Sequence, residues 1–228
     1  MRYRKRNIAC LESMWNGNIE NKLNVLPSLE LISKTMDSKF SHLTCNTREE
    51  LQYNLNLLCK RNYGVLYFAF HGSPGRIHLH RDKVRLPDLA AMMNHRFTNW
   101  IIHFGTCSTL RKPTAVREFV EKTRVSMVTG FTRDVDWIES SSFELLLFKA
   151  FHTFQSPKIV VRHLQHRYPD LVESTGFKVF PEIDISDMRA ARARKFVSLF
   201  ELETNSESSR AAICWLRPDA RRTPEGLD

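Results

Sequence analysis

The sequence predicts an α/β fold: three layers, with a mostly parallel sheet flanked by helices. Two apolar runs carry this reading. Gly64–Phe70 and Trp100–Thr106 are short, nearly unbroken and rich in aromatic and β-branched residues, as suits strands buried on both faces of a parallel sheet. The third observation is order, because strand-like segments alternate with helical ones along most of the chain. At 228 residues, 42% of them hydrophobic, the chain can bury one substantial core.

The elements follow in sequence. Arg6–Leu11 reads as a first strand, then a loop containing Gly17 and a helical stretch over Asn24–Met36. Phe40–Cys45 is a second strand. Thr47 with Glu50 three residues later forms a capping box. The helix it opens is expected to bury Leu51, Leu55 and Leu58, with Tyr53 and Leu57 widening the apolar face. The third strand ends at His71. Gly75–His80 and Lys83–Leu86 alternate in polarity around Arg81-Asp82, as a hairpin would. Pro87 opens a helix to Met93, and the fourth strand ends at Cys107. Helix Thr114–Lys122, strand Val125–Phe131 and a polar loop over Thr132–Glu139 come next. An amphipathic helix, Ser140–Phe154, is expected to be capped by the serines at its start. Helix Lys158–His166 and strand Gly176–Phe180 complete the domain, assigned to residues 1–183. Residues 184–228 read as a basic extension, helical over Ala190–Phe200 and tail-like at Asn205–Arg210 and Pro218–Asp228.

Composition excludes several classes. There are only 8 glycines and no G-x-x-x-x-G-K-[ST] or G-x-G-x-x-G run, so nucleotide-binding loops lose their usual support. Five scattered cysteines without a C-x-x-C pair predict reduced thiols. The basic start Met1–Arg6 resembles a leader, but Glu12 cuts the following apolar stretch short. Phe143–Phe154 is too short and too charged to span a bilayer. The expected setting is the cytoplasm, with no membrane partner. The net charge of +9 permits nucleic-acid binding, yet much of the excess sits at the two ends, so nucleic acid is not the expected partner.

The chemistry gathers at two strand ends. In open α/β sheets ligands bind outside the carboxyl ends of the strands, and here those ends carry His71-Gly72 and Cys107-Ser108. A thiol attacks as thiolate, and an adjacent imidazole can take its proton. His71 is therefore the candidate base and Cys107 the candidate nucleophile, with the N–H groups of Gly72 and Cys107 as oxyanion donors.

With these parts the chain resembles the caspase-like (clan CD) cysteine peptidases. In that family a His-Gly follows the third core strand and the catalytic Cys the fourth, with a hairpin and a helix between. Gly-Thr-Cys-Ser-Thr (residues 105–109) is closer to the bacterial CHAT branch than to caspases proper, whose Q-A-C-x-G is absent. Thr106 departs from the small residue usual before the Cys. The absence of a long linker between Ser108 and Val125 argues against maturation into two chains. The resemblance implies a caspase-like endopeptidase acting on protein or peptide substrates without a cofactor, beside a partner in bacterial defence or cell death. It also puts the specificity pocket at the ends of the first and fourth strands and the loop after the fifth, so Glu12, Asp134 and Asp136 are candidate substrate-binding residues favouring Arg or Lys. Arg192 and Arg194 would then be candidate self-cleavage sites.

The competing readings are an inactive interaction module of the same fold and a basic nucleic-acid-binding protein. No metal site is expected. His78 and His80, with His103 or Cys107, form the strongest metal set, but no ligand motif accompanies them.

Overall fold

A computed structural model describes residues 6–16, 20 and 22–182. The expected extension, with Arg192 and Arg194, lies outside the described residues. The main sheet has six strands in the order β2-β1-β3-β7-β8-β9: β1 (Ile8–Glu12), β2 (Phe40–Thr44), β3 (Val65–Ala69), β7 (Ile101–Phe104), β8 (Met127–Phe131) and β9 (Phe177–Phe180). All neighbours are parallel except β8 and β9. A second sheet, β4-β5-β6, is antiparallel and built from β4 (His71–Ser73), β5 (Arg76–His78) and β6 (Lys83–Arg85).

The apolar runs divide by alternation. In β3, Leu66 and Phe68 enter one core while Val65, Tyr67 and Ala69 enter the other, which is why the run shows no polar face. The first core is covered by α2 (Arg48–Leu58), α3 (Leu86–Met93) and α4 (Pro113–Thr123). The second is covered by α1 (Leu26–Met36), α5 (Trp137–Thr153) and α6 (Pro157–Arg167), with α7 (Pro169–Ser174) packed at its margin. Three layers result, as expected. Phe68 stacks on Phe104 at 5.2 Å between ring centroids, and Phe119 of α4 meets Phe104 edge-on at 5.7 Å. Each such fully buried ring contributes about 1.5–3 kcal/mol through burial alone.

Several expectations are corrected. The capping box is present, since Thr47 accepts from the Glu50 N–H and Glu50 accepts in return. However, Tyr53 is 68% exposed and Leu57 is also exposed. At 100° per residue both point away from the Leu51–Leu55–Leu58 face, and Asn54 takes the free inner position, donating to Thr44 O at 3.1 Å. Helix α5 starts three residues early. Its cap is Asp136, whose carboxylate accepts from the Ile138 and Glu139 N–H groups, while Ser140 sits inside the first turn and bonds Trp137 O. The hairpin gains a third strand, β4, which begins at His71 itself.

Strand order fixes where a site can form. From β1 the chain crosses to β2 on one side and then to β3 on the other, with α1 and α2 on opposite faces. The switch point therefore lies between β1 and β3, where a crevice opens at the carboxyl ends.

Candidate active site

Four segments meet at this end of the sheet. After β1 come Glu12–Trp15, after β3 His71-Gly72, after β7 Gly105–Thr109, and after β8 the loop Thr132–Asp136. Strand β3 leaves the main sheet at Phe70 and continues into the second sheet, so His71 stands at the junction, exposed.

His71 Nε2 lies 2.8 Å from the backbone carbonyl of Trp15. A carbonyl only accepts, so Nε2 carries the hydrogen and Nδ1 of the neutral ring is left with a lone pair. The Trp15 indole meets the imidazole edge-on at 5.0 Å and the Trp137 indole at 4.9 Å. Its own Nε1 donates to Glu12 Oε1 at 2.5 Å. Glu12 thus holds Trp15, and Trp15 holds His71.

Gly72 brings the His71 segment against the Cys107 segment. A Cβ at this position would stand 2.4 Å from Thr109 Oγ1, 2.6 Å from Cys107 O and 2.8 Å from Thr106 Cβ. Only a residue without a side chain permits that approach. Thr109 stitches the contact by donating to Arg76 O at 2.9 Å, while its carbonyl accepts from the Gly75 N–H at 3.0 Å. Thr106 is fully buried and donates to Thr109 Oγ1 at 2.7 Å, which gives the unusual threonine before Cys107 a structural role.

Cys107 is half-buried, and its thiol points toward Val135 O at 3.9 Å. Among the described residues no hydrogen bond joins it to His71. Its own N–H has no acceptor among them, whereas the next N–H, on Ser108, is taken by Arg133 O at 2.9 Å. Ser108 adopts a left-handed conformation (φ 55°) and donates its hydroxyl to Asp134. The loop after β8 thereby clasps the Cys107 turn. Two further thiols are buried in the core: burial, then the charges of Glu12 and Glu144, push Cys10 well up, and burial followed by Glu50 pushes Cys45 up to about 12. Neither is a nucleophile near neutral pH.

The three acidic candidates part company. Asp136 is spent on the α5 cap, and Asp134 gives one oxygen to Ser108. Glu12 is buried and accepts from Trp15, from the Val25 N–H at 3.0 Å and from His42 Nε2 at 2.5 Å. It also lines a cavity of about 270 Å³ with Ser13, Trp15, Lys22, His42 and Thr44. Ser13 Oγ, buried on that wall, has no partner among the described residues.

The histidines suggested as metal ligands do not converge. His78 bonds Ser73 Oγ at 2.8 Å, and burial followed by the charge of Lys83 lowers its pKa. His103 is sealed in the core. There Nε2 donates to Glu144 Oε1 at 3.1 Å, Nδ1 meets Thr129 Oγ1 at 2.9 Å, and Tyr67 donates to Glu144 Oε2 at 2.6 Å. Among the described residues no three metal-ligating side chains cluster. The sealed Tyr67–Glu144–His103 group escaped the sequence reading, although Glu144 on the apolar stripe of its helix was a usable signal. It touches the Cys107 turn, since a Cβ on Gly105 would meet Glu144 Oε1 at 2.3 Å.

Fold and site together define a three-layer α/β protein that gathers a histidine and a cysteine from the ends of neighbouring parallel strands. The chain belongs to a family of unknown function (DUF6642), which matches residues 5–181. No curated protein matches it.

Proposed function

We propose that this protein is a cysteine endopeptidase of the caspase-like, CHAT-type kind, with Cys107 as nucleophile and His71 as base. One observation carries the reading: Gly72 packs on the Cys107 carbonyl while the Trp15 carbonyl holds His71 with Nδ1 free. In this scheme Nδ1 takes the thiol proton and the thiolate attacks the scissile carbonyl carbon. The developing oxyanion is met by the unengaged Cys107 N–H, with Gly72 N–H beside it. The imidazolium then protonates the leaving amine, and water hydrolyses the thioester. No cofactor enters these steps.

Glu12, on the wall of the 270 Å³ cavity that also holds Trp15, supports selection of Arg or Lys before the scissile bond. Asp134 keeps one oxygen for the same task. Glu12, already accepting from Trp15, Val25 and His42, would act through its charge, whereas Asp136 is turned to the cap of its helix and away from that cavity's lining. The substrate is a protein or peptide, and an activating partner fits the observed state, in which the thiol faces Val135 O instead of the base. Reduced thiols suit a cytoplasmic setting. Among the described residues no helix is long and apolar enough to cross a membrane, and we propose neither membrane nor nucleic acid as partner.

The orientation of the thiol also favours a second reading, a catalytically silent interaction module. Fluorogenic peptides with Arg, Lys, Asp, Asn or Leu before the bond separate the two. Turnover after Arg or Lys, lost in both Cys107→Ala and His71→Ala, is the expected result. No turnover, with Cys107 inert to iodoacetamide near neutral pH, would favour the module.

A further inference from the structure

A second and larger cavity, about 500 Å³, lies on the other side of the Cys107 turn. Leu110, Pro113 and Phe180 form its apolar part, and Arg111, Arg133 and Lys178 bring three cations to it. Its one carboxylate, Glu182, is engaged by Arg117, which donates from Nη2 at 2.5 Å and from Nε at 3.4 Å. Neither Arg133 nor Lys178 makes a direct ion pair among the described residues.

One of the cations is held in advance, and a second packs by its stem. Arg111 Nε donates to Thr132 O at 3.0 Å, which leaves the terminal amines of its guanidinium for another acceptor. The stem of Arg133 lies close over Gly176, where an added Cβ would meet Arg133 Cγ at 2.9 Å. Guanidinium forks suit phosphate oxygens, which they can engage two at a time, and the pre-organisation of Arg111 lowers the entropy cost of binding. The volume falls in the range of small-molecule sites. Three cations across such a cleft match a chain of two or three phosphates better than a single carboxylate.

The same residues frame the thiol. Arg133 O accepts the Ser108 N–H, and Arg111 closes the 3-10 turn Thr109–Arg111 that follows Cys107. An anion drawing Arg111 and Arg133 together would bear on both segments that hold the Cys107 turn. We propose that this cleft binds a small di- or triphosphate anion and that its occupancy is felt at Cys107. The proposal does not rest on peptidase activity.

The test is titration calorimetry of the full chain with tripolyphosphate, ATP and inorganic phosphate. It is coupled to the iodoacetamide alkylation rate of Cys107, read peptide by peptide in a mass spectrometer. The expected result is saturable 1:1 binding of tripolyphosphate or ATP, weakened roughly tenfold or more in Arg133→Gln and in Lys178→Gln. Tighter binding of ATP would assign a nucleotide as the ligand, and the reverse a free polyphosphate. At saturation the alkylation rate of wild type should change about threefold or more, a shift of about 0.65 kcal/mol or more in barrier, and stay constant in Arg133→Gln. Absence of saturable binding, undiminished binding in both variants, or an alkylation rate indifferent to the anion would overturn the proposal. Lys178 is exposed on the edge strand β9, so Lys178→Gln keeps the test open if Arg133→Gln fails to fold. Because binding is read without any peptide, its failure is distinct from failure of the peptidase reading.

Discussion

Two carboxylate–histidine pairs sit at the same end of the sheet and do different work. Glu12 and His42 lie at the edge, with side chains 5% and 19% exposed, against a cavity and one residue chain away from His71. Glu144 and His103 lie under the centre, 7% and 0% exposed, walled by Phe131, Phe148 and Tyr67. The chemistry is the same and both carboxylates are buried; what separates the pairs is the cavity beside Glu12 and His42 and the water that reaches His42 but not His103. A pair that borders a cavity can respond to a ligand. A sealed pair sets the shape of what lies above it, here Gly105 and the turn to Cys107.

The sharpest way to break this comparison is to truncate both carboxylates. Glu144→Ala leaves His103 and the Tyr67 hydroxyl unpaired in the core and is expected to cost about 3–5 kcal/mol. Glu12→Ala, whose donors can turn to water in the cavity, should cost about 1–3 kcal/mol. Urea unfolding measures both, and the reverse order would refute the contrast.

A smaller effect comes from Cys10, whose Cα is in register with His42 on one side and Tyr67 on the other. Burial, then Glu12, then Glu144 raise its pKa, so it feels both pairs. A thiol held protonated in the folded state stabilises below the unfolded pKa, and that stability is lost as pH rises above it. Unfolding free energy should therefore fall from about pH 8.5 upward, by up to about 1.4 kcal/mol per pH unit for each such thiol. Cys45, pushed up to about 12, adds a parallel loss. Cys10→Ala should flatten the slope and leave the Cys45 part, as denaturant titrations between pH 8 and 11 would reveal.

The smallest expected effect is the most telling. Replacing the sealed group whole, with Tyr67→Phe, His103→Phe and Glu144→Leu together, should leave stability roughly unchanged or improved, because the one polar neighbour that loses a partner, Thr129, still donates to Ile102 O at 3.5 Å. Thermal melts of this triple variant then isolate what the group contributes to Cys107, read as alkylation rate at unchanged stability.

The same contrast explains what was legible in the sequence. Strands buried on both faces announce themselves as apolar runs, so β3 and β7 were located together with the residues at their ends. The capping box of α2 was equally plain, because Thr47 and Glu50 act locally. Tyr53 and Leu57 misled because an apolar residue adds to a helix face only at the right angle. Asp136 was missed as a cap because the serines that begin four residues after it offer the same chemistry. The engagement of Glu12 by His42 and Val25 joins residues 30 and 13 positions apart, and no local pattern signals such partners. Tyr67, His103 and Glu144 each looked like one polar interruption in an apolar stretch. Only the register of β3 with β7 brings Tyr67 beside His103.

The continuity of β3 into β4 has a practical consequence for dissecting this chain. His71 enters the second sheet with its hairpin, while Cys107 arrives one helix and one strand later. A chain opened at the turn between Arg81 and Asp82 would leave His71 on the first piece and Cys107 on the second. The pieces would still share the β3–β7 ladder, from Val65 beside Ile101 to Phe68 beside Phe104. Neither half holds both residues of the proposed dyad, so under the proposed mechanism peptide turnover regained on mixing would report their reunion, and the chain would serve as a split reporter of its own assembly.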